Sequence, residues 1–199
     1  EGDEAEVMRS RERNVTIMFT DMVGFSQLAG AMTVDRCADF LNHHLSLLTN
    51  CIEAEGGVID KFIGDAVMAV WIEIPNVSKA EANAEAAVRA ARAIRAAVAA
   101  DNVGNDVPVR VRVGIHSGRA IVGNIGTRTR LNFTVVGDAV NIAQRVENAA
   151  KQLRPKAEVA IILSAATAAL LADRGALAPL GGHVLPGRDL PIELLALDD

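Results

Sequence analysis

Three stretches of this chain carry residue types at spacings that could do chemistry. The first is FTDMVGFS at 19–26, where an apolar, β-branched run delivers Asp21 to the end of a strand and Gly24 lets the backbone turn tightly into a helix. The amides of such a turn, with a helix N-terminus behind them, make an anion site, and a carboxylate beside them would hold Mg²⁺ against the same phosphates. The second is KFIGDAVMAVW at 61–71, which puts Asp65 at a Gly-opened hairpin tip between two apolar strands. If that hairpin pairs beside the first strand, Asp21 and Asp65 share a pocket, and two carboxylates there could bridge two cations about 3.5–4 Å apart, as in two-metal phosphoryl chemistry. The third is LNFTVVGDAVNIAQRVE at 131–147, where Asn141 and Arg145 lie four apart on one helix face. That face could offer an amide to a sugar oxygen and a guanidinium to a phosphate. Each stretch alone also has an ordinary reading: an Asp capping its own turn, a Gly-Asp corner, a solvated helix face with an Arg–Glu pair.

The elements that must position these residues follow from periodicity and turn residues. Residues 14–20 read as a strand, and 26–55 as one long helix with Leu41, Leu45 and Leu48 on a stripe, ended by Gly56-Gly57. Residues 58–62 and 66–71 form the hairpin, and 79–100 is an Ala-rich second helix. The alternation VRVRVGIH at 109–116 is a half-buried strand; 121–122 and 132–136 add two more. Then come a helix at 138–152, a strand at 159–163, a helix at 164–172 capped by Ser164, and short strands at 177–185 and 190–197. Residues 1–13 are charged and aperiodic and read as a linker or the end of an upstream signalling helix. Nothing after them has the composition of a linker, so 14–199 is one α+β domain.

Composition excludes several classes. The chain has 199 residues, half of them apolar, and a net charge of −5, so it can build a sizeable core and lacks the positive field that nucleic-acid backbones select. Aromatics are 3 % with no Tyr, too few for base-stacking platforms. The longest apolar run, 159–172, is shorter than the roughly 20 residues a bilayer span needs, so this domain itself is expected to make no membrane contact. Cys37 and Cys51 lie in one helix about 21 Å apart, beyond disulfide reach, and read as buried thiols in a reducing, cytoplasmic setting. A start at Glu1 rather than Met points to a piece of a longer protein.

A strand-D-x-x-G turn with a later G-D also fits a haloacid-dehalogenase-type phosphatase, but that chemistry needs an acid where Val23 stands. Taken together, FTDMVGF, GGVIDKFIGDAVMAVW, VRVGIHSGRAIVGNIG and NFTVVGDAVNIAQRVE resemble, in order and spacing, the class III nucleotidyl cyclases, specifically adenylyl cyclase catalytic domains, over residues 14–197. The resemblance implies a ferredoxin-like βαββαβ core with C-terminal additions, and a head-to-tail homodimer with active sites shared across the interface. It implies that Asp21 and Asp65, with the Met22 carbonyl, hold two Mg²⁺ or Mn²⁺ ions that would activate the ribose 3′-hydroxyl and hold the triphosphate. The amides of Val23, Gly24, Phe25 and Ser26 would cradle the β- and γ-phosphates. From the partner, Lys61 would meet adenine N1 and Thr134 the 6-amino group, Asn141 would orient the ribose, and Arg145 would neutralise charge growing on the α-phosphate. The products would be 3′,5′-cyclic AMP and pyrophosphate.

The resembled guanylyl cyclases carry an acid at the Lys61 position. A Lys offers donors and no acceptor, which suits adenine N1 and leaves guanine's donors unmet, so ATP is the expected substrate. Thr134 resembles the subset that includes bicarbonate-stimulated soluble cyclases, which makes a bicarbonate response an expectation to test. The family's C-terminal L-K-G is Leu185-Pro186-Gly187 here; Arg119 or Arg188 is expected to replace that phosphate-binding Lys. An upstream sensor domain is expected in the full-length protein. The competing readings are a regulatory pseudocyclase without turnover and a guanylyl cyclase.

Overall fold

The computed structural model describes residues 10–105, 108–127 and 130–198. Strand β1 (Arg11–Met22) runs through the middle of the sheet, antiparallel to β3 (Ala66–Ile72) on one side and to β4 (Val111–Thr127) on the other. Val15, Ile17 and Phe19 enter one apolar cluster, and Met18 and Met22 enter another. A strand covered on both faces has no solvent side, which is why apolar residues fall on both alternations of 15–19 and Thr16 and Thr20 are buried with them.

The sheet order is β2-β3-β1-β4-β6-β8-β7, with β2 at Val58–Ile63, β6 at Val159–Ser164, β7 at Leu177–His183 and β8 at Ile192–Leu197; off this path, β5 (Arg130–Val136) pairs with β4. The first four strands in the order β2-β3-β1-β4, with their two helical crossovers, are the expected ferredoxin-like βαββαβ core. Helices α2 (Val34–Ala54) and α3 (Ala80–Asp101) cover one face through Leu48, Ile52 and Ile94 against Met18 and Trp71. Helix α4 (Asp138–Leu153) covers the other, with Ala139 and Ala143 on β1 and Ile142 and Val146 on β6 and β8. Such small side chains let α4 lie close to the strands. At Gly114 a Cβ would stand 2.2 Å from the Glu147 backbone nitrogen, so only glycine admits the helix there.

Several boundaries differ from the sequence reading. The expected helix 26–55 is two helices, α1 (Phe25–Gly30) and α2, because Thr33 is extended and its carbonyl accepts from Cys37 N at 2.9 Å to start a new helix. Apolar periodicity runs through both pieces and hides the break; Gly30 and Thr33 were its local signals. The strand begins at Arg11, inside the segment read as linker, because β4 extends far enough to give Arg11 through Arg13 partners at Ala120 through Val122. The stretches at 109–116 and 121–122 are one strand, β4, masked by the polar Ser117-Gly118-Arg119 between them. Helix α5 spans only Ala165–Ala168, though Ser164 Oγ caps it by accepting from Thr167 N as expected. The last strand starts at Ile192 rather than 190. Cys37 and Cys51 are free and half-buried rather than buried, and burial pushes the Cys51 thiol pKa up. Among the described residues, no helix is long and apolar enough to cross a membrane.

Candidate active site

Asp21 stands near the end of β1, and the β2–β3 hairpin brings Asp65 to the same end because Thr20 pairs with Val67. The Met22 N–H donates to Asp65 Oδ2 at 3.0 Å, so the Asp65 carboxylate reaches the strand end that carries Asp21. Beyond Met22 the chain turns at Gly24 with φ +79°, a conformation that favours glycine, and Gln27 and Leu28 N–H groups close on the Gly24 carbonyl to start α1. The chain thus turns at Val23-Gly24 after Met22 and enters α1 at Phe25 and Ser26; of the four amides expected to face phosphate, that of Val23 is already committed, donating to the Arg110 carbonyl at 2.8 Å.

The sequence reading missed the charge that faces Asp21. Arg112 on β4 pairs through Nη2 with Asp21 Oδ2, and its Nε donates to Glu147 Oε1 on α4 at 2.8 Å. The Arg112 and Glu147 side chains are only 16 % and 6 % exposed. Burial works against the Arg112 charge, but hydrogen bonding to Asp21 and the charges of Glu147 and Asp21 outweigh it and hold its pKa above the usual value. For Glu147, burial and then the Asp21 charge outweigh the help from Arg112, and its pKa rises to about 7. The signal was present: in VRVRVGIH, Arg112 alternates with Val111 and Val113, whose side chains enter the α2–α3 core, so Arg112 had to face α4.

The donor set suits a hard divalent cation. Asp21, Asp65 and the Met22 carbonyl are oxygen donors, and among the described residues no group of three His, Cys, Asp or Glu side chains is gathered for a metal. Mg²⁺ is ordinarily held by one or two carboxylates, with water and substrate phosphates completing its shell, so two acids suffice.

A second group forms on β2 and β5. Lys61 Nζ donates to Thr134 Oγ1 at 3.2 Å, and the Thr134 hydroxyl donates to Asp60 Oδ2 at 3.0 Å. The Val135 N–H donates to Asp60 Oδ1 at 3.3 Å, and Lys61 Nζ lies 3.2 Å from Asp60 Oδ2. Lys61 is 46 % exposed, while the Asp60 carboxylate is 3 % exposed. Asp60 was not singled out from the sequence, although it directly precedes Lys61.

Asn141 is exposed and Arg145 half-buried on α4, one turn apart. Arg145 lies against the 185–188 loop: a Cβ on Gly187 would come within 3.3 Å of Arg145 Nη2. In the same loop Arg188 pairs with Asp138 at 2.6 Å. Arg119 faces Asn14 in the β1–β4 register and pairs with Glu12 at 2.6 Å, while Arg112 is the residue facing Asp21. Within one protomer, then, the strand presents Arg112 rather than Arg119 to Asp21. His116 is buried, contacts Ser164 Oγ at 2.7 Å and has its pKa lowered to about 4, chiefly by burial, as befits a structural histidine.

Residues 7–188 match the family model described as "Adenylate and Guanylate cyclase catalytic domain". The chain belongs to that family. It is 34 % identical over 155 residues to an adenylate cyclase of Anabaena cylindrica, covering 74 % of this chain and 29 % of that protein. To adenylate cyclase 1 of Rhizobium meliloti (strain 1021) it is 29 % identical over 183 residues, covering 92 % of this chain and 27 % of the relative. This cyclase domain thus spans less than a third of either relative's length. Among solved structures, the adenylyl cyclase CyaB from P. aeruginosa superposes with a TM-score of 0.86 at 29 % identity, covering 96 % of this chain and 97 % of that one. A bacterial light-regulated adenylyl cyclase superposes with a TM-score of 0.82 at 26 % identity, covering 96 % and 54 %.

Proposed function

We propose that this cyclase domain converts ATP to 3′,5′-cyclic AMP and pyrophosphate in sites shared across a homodimer. The observation that carries the choice of substrate is the Lys61–Thr134 pair, hydrogen-bonded at 3.2 Å on an exposed strand. An ammonium satisfies an adenine N1 acceptor and leaves the N1–H of guanine facing another donor, a mismatch worth about tenfold or more. The adenylate cyclase names of the relatives agree with that choice.

In this reading Asp21, Asp65 and the Met22 carbonyl hold two divalent cations, Mg²⁺ or Mn²⁺. When bound, such ions supply Lewis-acid activation of the 3′-hydroxyl and charge neutralisation on the triphosphate. The amides of Gly24, Phe25 and Ser26 bind phosphate oxygens at the start of α1, while the Val23 N–H stays on the Arg110 carbonyl. Asn141 holds the ribose so that its 3′-oxygen lies in line with the α-phosphorus, and Arg145 offsets the charge that grows there as pyrophosphate leaves. Arg188 belongs to the 185–188 loop that Gly187 lays against Arg145, and is therefore the better placed of the two arginines to stand in for the family's C-terminal Lys.

A second copy is supported by apolar side chains left exposed on neighbouring elements. Phe62 and Ile63 on β2 are 53 % and 50 % exposed, and Phe133 on β5 is 59 % exposed. Apolar surface grouped in this way is a usual mark of an interface. The same strands carry Lys61 and Thr134, so a partner docked there would come next to the base-reading pair.

The test is product analysis. Concentrated protein with Mn²⁺ and either ATP or GTP, resolved by chromatography beside an Asp21→Ala control, should give cyclic AMP from ATP alone. Cyclic GMP as the main product would reverse the base reading. No cyclic product from either nucleotide, with nucleotide binding intact, would make the domain a regulatory pseudocyclase.

A further inference from the structure

Consecutive residues of a regular strand point to opposite faces, so Asp60 and Lys61 should not be able to touch. They do, because β2 is bulged at this point: Ile59 pairs with Ala69 and Lys61 with Met68, which leaves Asp60 as the extra residue. A bulge re-aims a side chain, and this one turns the Asp60 carboxylate inward while Lys61 stays on the surface. The buried carboxylate takes three donors: the Thr134 hydroxyl, the Val135 N–H and the Lys61 ammonium.

We infer that Asp60 is a specificity-determining positioning residue, which fixes the Thr134 hydroxyl so that it can only accept a hydrogen bond from a nucleobase. The inference rests on the proposed reading of Lys61 and Thr134 as the base-contacting pair. A free threonine hydroxyl donates or accepts as its neighbour requires, so it cannot distinguish a 6-amino from a 6-oxo purine. A carboxylate can only accept, so the Thr134 hydrogen is committed to Asp60. Of the two lone pairs on Thr134 Oγ1, one receives Lys61 Nζ, and the other is left for an incoming donor. The 6-amino group of adenine is such a donor. The 6-oxygen of hypoxanthine or guanine would meet a lone pair instead. The bulge thereby converts an ambiguous hydroxyl into a selective acceptor, without Asp60 touching the nucleotide.

The experiment is kcat/KM for ATP and for inosine triphosphate, with kcat and KM separated, in the wild type, Asp60→Asn and Asp60→Ser. An amide at position 60 can donate to Thr134 Oγ1 and release its hydrogen, so the ATP-to-ITP preference should fall about tenfold, chiefly through KM. A purely structural role would lower both nucleotides by the same factor, and an unchanged ratio in either folded variant overturns the inference. Circular dichroism and melting curves identify which variants fold. If neither folds, the wild type decides with purine riboside triphosphate, which lacks the 6-amino group: it should be used about tenfold less well than ATP, and equal use overturns the inference. Lys61→Ala and Thr134→Val separate the two levels. If these leave the ATP-to-ITP ratio unchanged, the base-contacting pair is wrong and Asp60 falls with it; if they shift it and the Asp60 variants do not, only the role of Asp60 falls.

Discussion

Arg112 gathers two carboxylates from opposite sides, the half-buried Asp21 from β1 and the buried Glu147 from α4. Removing one partner of a buried ionic group leaves uncompensated charge, which ordinarily costs more than the pair itself contributes. Arg112→Met should therefore lower stability by about 3 kcal/mol in metal-free protein, read from urea unfolding. Mg²⁺ should return part of that loss, because a cation on Asp21 replaces the missing positive charge. If the unfolding midpoint did not move in either condition, Asp21 would be effectively solvated and the Arg112 pair ornamental. At the same scale, Asp21 and Asp65 were legible from their types and spacing, and Asn141 and Arg145 through the resemblance that the four motifs carry together. The facing of Arg112 was legible in the V-R-V alternation, but its partners Asp21 and Glu147, like the contacts of Asp60, were not, because they form only after distant strands and helices come together.

Among elements, α4 is the most tightly specified. It carries Asn141 and Arg145 outward, Glu147 inward, and sits directly on Gly114. Gly114→Ala would drive a methyl into helix backbone that has no room to yield, so a loss of about 3 kcal/mol in thermal or urea unfolding is expected, and activity should fall as α4 lifts. A neutral effect would mean that α4 floats on the sheet. Helix α2 makes a different prediction. His44 is buried with Nε2 unpartnered, and its pKa is lowered to about 4, chiefly by burial. His116 is lowered to the same value, also chiefly by burial. Between pH 6.5 and 4 the unfolded chain binds protons at both sites and the folded protein does not, so stability should fall as the pH drops through that window. Glu147, raised to about 7, has the opposite sign, losing stability as pH rises from about 4.5 through 7. His44→Leu should flatten the acid limb of a plot of melting temperature against pH and, by removing an unsatisfied buried nitrogen, raise stability near neutrality by about 1 kcal/mol. An unchanged acid limb would assign it to other groups.

For the whole molecule, the acidic pair and the α4 residues lie in every protomer, and the proposed homodimer assigns them to different halves of each site. Asp21→Ala and Arg145→Ala should each be inactive alone, and mixing them should restore activity in heterodimers that keep one intact site. A mixture that stayed inactive after subunit exchange, shown by differently tagged copies co-purifying, would place all these groups in one protomer's site.

Much of this architecture could be read from the chain alone, because the two hydrophobic periods and the turn residues are local properties. They located the α+β core, the hairpin, the Gly24 turn and the residues set on them. What periodicity could not locate were events without a local signature: the break at Thr33 inside a continuous apolar stripe, the extension of β1 to Arg11 by a long partner strand, and the union of two expected strands into β4. The same limit applied at the site. Sequence nominated the candidate side chains, Asp21 and Asp65 by type and spacing and Lys61, Thr134, Asn141 and Arg145 through the resemblance that the four motifs carry together. Only tertiary structure decided how they are charged and oriented: Arg112 reaches Asp21 because β4 pairs with β1, and Asp60 turns onto Thr134 because β2 bulges beside β5. Pairing register and burial exist only once remote segments meet, and they set the electrostatics of each group.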